Sequence, residues 1–359
     1  MKKSLLILLF TCWALFFAAF RPVMPFAAET AAFPDGTPVT GGRILMGTIG
    51  EPSNLIPYMA SDSASGEITG LLYVAPLKYD KDLNVVPWAA ASYEVLEGGR
   101  LLRFVLRDDI RWEDGVPLTA DDVEFTYKLM IDPKTPTAYS GDFLAIESFK
   151  KTGRLSFEVR YAKPFARSLM TWMGAILPKH VLEGQDIMTT PVARKPIGAG
   201  PYRLAKWDAG SMLTLTASDT YFEGRPNLDE VVYRIIPDPS TMFLELKAGK
   251  LDMMSLSPQQ YLRQTQGPQW ERDWRKYRYL SFSYTFLGFN LEHPFFKDVR
   301  VRRAISMAID RQSLIDGVLL GQGVPTVGPY KPGTWAYNDK LTPVRQDVDE
   351  ARRLLDEAG

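Results

Sequence analysis

Between Leu106 and Met130 the sequence LRDDIRWEDGVPLTADDVEFTYKLM gathers the carboxylates of Asp108, Asp109, Glu113, Asp114, Asp121, Asp122 and Glu124 around a single Asp-Gly turn. Acids at that density could hold a hard cation or supply an acid/base pair. A calcium loop of the EF-hand type needs oxygen ligands at alternate positions ahead of its glycine. Counting back from Gly115 puts Ile110 and Trp112 where the first and third ligands belong. Zinc asks for His or Cys neighbours, and the stretch contains neither. A catalytic carboxylate pair needs a cleft that gives the two acids different environments, whereas acids adjacent in a turn are ordinarily solvated.

The elements around the acids account for them more simply. LRFVLR alternates as a strand, Glu113-Asp114-Gly115 makes a turn in which the glycine tolerates positive φ, and Pro117 stiffens the exit. Thr119 is placed to cap a helix, with Asp122 at the third helical position completing a capping box. Asp121, Asp122 and Glu124 load the first turn, where negative charge suits the helix dipole. Val123, Tyr127 and Met130 share one apolar face. The stretch therefore predicts a strand, a turn and a helix, with no metal and no cofactor.

The chain has 359 residues, 46% of them hydrophobic and 23% charged, with 42 basic and 42 acidic side chains. This composition suits a globular chain of about two domains. Charge balance argues against a general nucleic-acid binder, which carries a basic excess. Lys2 and Lys3 precede a nearly unbroken apolar run from Leu5 to Phe20, and PFAAETA follows. Residues 1–28 read as a secretory signal or N-terminal anchor, so the chain is expected to be exported, periplasmic or membrane-anchored. Cys12 is the only cysteine and lies inside that run, so a processed chain gains nothing from disulfides.

Residues 29–41 form a Pro/Gly/Thr-rich lead-in. GRILMGTI then reads as a strand and EPSNLIPYMASDSAS as a loop. GEITGLLYVAPLKYD is apolar at helical spacing and ends at Pro76, and a hairpin is signalled by Glu97-Gly98-Gly99. RLSFEVRYA, MLTLTAS and EVVYRIIP are further strands, while PSTMFLELKAG and VRRAISMAIDRQSLIDGVLLG read as amphipathic helices. In the latter Val301, Ala304, Ile305, Ala308 and Ile309 share a face, and Arg300, Arg302 and Arg303 lie mostly off it. Strands and helices mixed with local hairpins indicate an α/β (mixed α+β) architecture. Gly198-Ala199-Gly200-Pro201 is a turn and not a phosphate loop, since no helix with a lysine and hydroxyl follows it.

Five blocks in order carry a resemblance. They are GTIGEPSNLIPYMASDSAS, the acid-rich stretch itself, PIGAGPYRLAKWDAGSMLTLTASDTYFEGRPNLDEVVYRIIPD, GFNLEHPFFKDVRVRRAISMAIDRQSLIDGVLLGQG and DVDEARRLLDEAG. Together they resemble the family 5 extracellular solute-binding proteins, the peptide-, dipeptide- and nickel-binding components of bacterial ABC importers. The resemblance implies a periplasmic-binding-protein-like fold of class II type, with two lobes around a cleft and an extra subdomain in the first lobe. It implies a first lobe over 42–280, an inserted subdomain at about 78–190, and a second lobe that starts at 281–359 and is incomplete, because relatives continue past the helix that LLDEAG matches. Hinged closure over a solute would follow. On the matched blocks it points to Ser61, Asp62, Ser63, Tyr139, Phe289 and Asn290 as ligand-binding positions, with Phe289 and Asn290 on a strand at the lobe crossing. Trp207 reads as packing beside the Gly-Pro-Tyr turn.

The implied role is capture of a peptide or similar small solute and its delivery to an ABC permease in the inner membrane, by a monomer or, with an incomplete lobe, an associating chain. A secreted hydrolase is the second reading. His180 and His293 are the only histidines, and one suffices for a Ser-His-Asp site, yet neither a G-x-S-x-G elbow nor an H-E-x-x-H helix is present. A membrane-tethered sensor or chaperone module on the same fold is the third.

Overall fold

The computed structural model describes residues 38–359 apart from Trp335; the signal segment and most of the lead-in lie outside the described residues. Gly267–Arg275 belongs to one compact unit, and residues 39–266 with 276–359 form another. In the first, Pro268 opens a short helix over Pro268–Asp273, and Trp270 and Trp274 meet with ring centroids 5.7 Å apart.

The larger unit begins with strand β1 (Arg43–Thr48), helix α1 (Ser63–Leu72) and the hairpin β2 (Leu77–Tyr79) and β3 (Val85–Pro87). The sequence ran the α1 helix on to Pro76, but it stops at Leu72. The backbone of Tyr73–Pro76 is claimed from outside: Val74 accepts the amide of Ile176, Ala75 that of Ala89 and Pro76 that of Trp88. Pro76 further disfavours helical Ala75.

β4 (Ala90–Leu96) and β5 (Leu101–Leu106) make the hairpin that Glu97-Gly98-Gly99 announces, with Gly98 and Gly99 at positive φ. Helix α2 (Ala120–Ile131), the short helix α3 (Ser140–Leu144), β6 (Ile146–Lys151) and β7 (Ser156–Tyr161) follow. The antiparallel sheet runs β4-β5-β7-β6. Alternation puts Leu102, Phe104 and Leu106 on the core side of β5, and Phe157, Val159 and Tyr161 on that of β7. Phe104 and Phe157 are direct cross-strand partners, stacked at 4.8 Å, a pair that adds about 1 kcal/mol beyond its buried area.

β8 (Tyr202–Asp208), β9 (Met212–Ala217) and β10 (Glu230–Ile235) complete a second sheet in the order β1-β10-β9-β8. β1 and β10 are parallel; β9 is antiparallel to both its neighbours. β1, β10 and β8 therefore all end at the same edge. Helix α4 (Pro239–Lys247) follows, capped by Asp238.

Residues 276–290 form no ladder, so the strand expected to carry Phe289 and Asn290 is not formed. The side chains of Tyr277, Tyr279, Phe282 and Phe286 are exposed there, and a strand needs a partner for its backbone groups. The single long helix expected after Val299 is two, α5 (Val299–Ala308) and α6 (Arg311–Gly317). Asp310 breaks it by turning its carboxylate onto the amide and hydroxyl of Ser313 as an N-cap. α5 packs on the final helix α7 (Val348–Ala358) through Ala304, Ala351 and Leu354. Among the described residues no helix is long and apolar enough to cross a membrane.

Candidate functional site

The acid-rich stretch is structural. Thr119 and Asp122 form the capping box, and Gly115 takes φ +91°. Asp122 is buried and accepts the amides of Thr119 at 2.8 Å and Lys179 at 2.9 Å. Asp121 pairs with Lys151, Glu124 with Lys128, and Asp114 with His180 at 2.7 Å. Burial raises the carboxyls of Asp122 and Glu113 above their ordinary range, against the pull of the backbone amides they accept. Among the described residues no group of three or more His, Cys, Asp or Glu is placed to hold a metal. The His293 ring accepts the amide of Phe295 as a helix cap, so among the described hydrogen bonds neither histidine ring meets a serine hydroxyl.

Part of the predicted set lies on the loop that follows β1. The loop 49–62 leaves the carboxyl end of β1. Glu51 ties it down, accepting Trp207 Nε1 at 2.7 Å and the Gly210 amide at 3.1 Å, while Arg194 stacks over the Trp207 ring at 3.9 Å. Trp207 is thus half-buried packing, with its polar edge used.

Farther along the loop, Met59 donates to the Ile56 carbonyl at 3.2 Å, closing a turn with Pro57 second and Tyr58 third. Tyr58 has φ +73°, a position usually filled by Gly or Asn and costing a bulky residue about 1–2 kcal/mol. Tertiary contacts hold it there. Its hydroxyl donates to the Ala175 carbonyl at 2.8 Å, and its carbonyl accepts Thr137 Oγ1 at 2.8 Å. Its ring meets Tyr139 and Phe143 edge-on, each at 6.0 Å. A Cβ on Gly174 would lie 2.2 Å from the Tyr58 hydroxyl, so that glycine makes the approach possible. Burial raises the Tyr58 phenol above its usual range. The small apolar cavity beside this cluster, about 10 Å³, holds no more than one water; any solute must lie outside it.

Of the predicted residues, Ser61 and Ser63 are exposed. Asp62 caps α1: its carboxylate accepts the Ser65 amide at 2.7 Å, the Ser65 hydroxyl at 2.8 Å and the Ser53 hydroxyl at 2.6 Å. Partial burial works to raise this carboxyl, and the three donors outweigh it and hold it below the ordinary range. Tyr139 stands 46% exposed, enough to offer a ring face outward while its edge rests on Tyr58. Phe289 and Asn290 take their partners locally: Phe289 meets Phe296 at 5.2 Å, and Asn290 accepts the amides of Glu292 and His293. The structure thus brings Tyr58, just before the predicted Ser61–Ser63, against Tyr139 and leaves Phe289 and Asn290 in their own segment. Sequence reasoning missed Tyr58, Thr137 and Gly174; only Pro57, a common second residue of such turns, signals the left-handed residue after it.

This arrangement of sheets is shared with solved proteins of the periplasmic-binding-protein-like class. The oligopeptide-binding protein AppA of Bacillus subtilis, solved in complex with a nonapeptide, superposes with a TM-score of 0.80 at 31% identity, covering 90% of this chain and 65% of that one. NikZ of Campylobacter jejuni, solved in complex with Ni(L-His), gives a TM-score of 0.78 at 26% identity over 88% of this chain and 63% of its own. The family of bacterial extracellular solute-binding proteins, family 5 (middle), matches residues 84–359, and the chain belongs to it. In sequence it is 32% identical to the Bacillus subtilis protein over 332 residues, 90% of this chain and 60% of that protein. The dipeptide-binding protein of Escherichia coli is 28% identical over 301 residues, 77% of this chain and 55% of that protein. The chain thus spans about 60% of the length of the curated relatives it matches.

Proposed function

We propose that this chain is the capturing part of an exported, periplasmic solute-binding protein that delivers a peptide to an ABC permease, and that it acts by binding and not by catalysis. The observation that carries this is the joining of the β1 exit loop to Tyr139, in a chain similar to proteins named for oligopeptide and dipeptide binding. The solute would lie between this loop, in the first lobe over 42–280, and the second lobe that opens at 281. Ser61, Ser63 and Tyr139 would face it, with Asp62 shaping the loop, and Phe289 and Asn290 would approach as the lobes close.

A bare nickel ion is disfavoured because both histidine rings already serve local structure. Native mass spectrometry of the gently purified chain tests the reading. A non-covalent adduct that fragments as a peptide is the expected result. A bare chain that also shows no heat on titration with tri- to nonapeptides would sink it.

A further inference from the structure

We propose that Thr137 and Tyr58 are positioning residues that hold the Tyr139 ring as a ready-made face for the solute, an inference that rests on the peptide-binding reading of this loop. One hydroxyl makes the connection. Thr137 Oγ1 accepts the Tyr139 amide at 3.2 Å and gives its single proton to the Tyr58 carbonyl at 2.8 Å. Tyr139 sits at φ −102°, ψ 2°, the backbone of an ordinary turn residue. Its ring rests edge-on against Tyr58, at 6.0 Å and 65°.

Tyr58 cannot yield easily. Its hydroxyl is fixed on the Ala175 carbonyl beneath a Cβ-free Gly174, and Phe143 meets the same ring at 89°. Three segments far apart in sequence, 56–59, 137–143 and 174–175, thus fix one half-exposed aromatic face before any solute arrives. A face held in advance spares the ordering cost of binding.

The test reads Tyr139 directly, by ¹⁹F NMR of the full chain carrying Tyr139→para-trifluoromethylphenylalanine. With Thr137 and Tyr58 intact, one broad resonance of an immobilised ring is expected. Thr137→Val, which keeps the shape and removes both bonds, and Tyr58→Phe, which keeps the ring and frees it from Ala175, should each narrow or split it. Thr137→Ser should restore it. An unchanged resonance in Thr137→Val and Tyr58→Phe overturns the proposal.

Trialanine and a nonapeptide are then titrated against chains with Tyr139 intact. Thr137→Val should weaken binding about 10-fold, and should do nothing further in a Tyr139→Ala background, because a positioning residue acts only through the ring it positions. Equal losses in both backgrounds also overturn it. If neither peptide binds, the peptide reading fails, and the resonance comparison still decides the positioning.

Discussion

Glu113 and Gly198 hold each other reciprocally: the Glu113 amide donates to the Gly198 carbonyl at 2.8 Å, and the Gly198 amide donates to Glu113 Oε1 at 3.0 Å. The acid-rich turn is thereby tied to the Gly-Ala-Gly-Pro turn. Burial raises the Glu113 carboxyl, so the folded state binds its proton more tightly than the unfolded chain does. Its contribution to stability therefore falls as pH rises from the ordinary glutamate range through the raised folded value. Chemical denaturation of the parent and Glu113→Gln across pH 4–7 should show the parent's advantage shrinking as pH rises. An advantage that grows with pH contradicts the assignment.

Gly198 has a second constraint. A Cβ there would stand 2.0 Å from the Leu72 carbonyl oxygen, a backbone atom at the end of α1 that cannot swing away. Gly198→Ala should cost about 3 kcal/mol or more, the upper end of overpacking effects. Gly66→Ala, inside α1 with open space around its Cβ, should be neutral or stabilising by up to about 1 kcal/mol. Urea midpoints of the two variants check the contrast.

Asp62 should show its worth as a helix cap whatever its part in solute binding. Asp62→Ala removes the acceptor of the Ser65 amide and should cost about 1 kcal/mol. Its carboxyl is held below the ordinary range, so its contribution is complete above the unfolded pKa and disappears as pH falls through the lower folded value. The loss measured for Asp62→Ala at pH 7 should thus shrink only at acid pH. A loss independent of pH down to acid unfolding would assign the effect to packing.

The unpaired run at 277–289 makes a kinetic prediction. Its amides join no ladder and should exchange with deuterium at rates near those of an unstructured chain. The amides of Leu213 and Leu215 in β9, paired on both sides, should exchange orders of magnitude more slowly. Strong protection over 277–289 would mean that further polypeptide covers it.

The fold was legible where its causes are local. The Thr119–Asp122 capping box, the Gly115 turn and the β4–β5 hairpin all lie within a few residues of their signals. What escaped depends on distance. The stop at Leu72 is set by bonds from Ile176, Ala89 and Trp88. The left-handed Tyr58 is held by Thr137, Ala175 and Gly174. Ser61–Ser63 and Tyr139 were named separately from the family resemblance, and the Tyr58–Tyr139 contact that links their segments needed the tertiary structure. The strand expected at Phe289 and Asn290 came from the family resemblance, which cannot tell whether a partner strand is there to pair with it.

Among the described strands β1 is paired in the sheet with β10, Arg43 opposite Glu230. At ordinary elongation rates those 187 residues take roughly 10–40 s to emerge. For that interval the first strand has no place in a sheet, and closing so long a loop is slow even afterwards. The β4-β5-β7-β6 sheet, complete by Tyr161, can therefore close while β1 still waits for its partner.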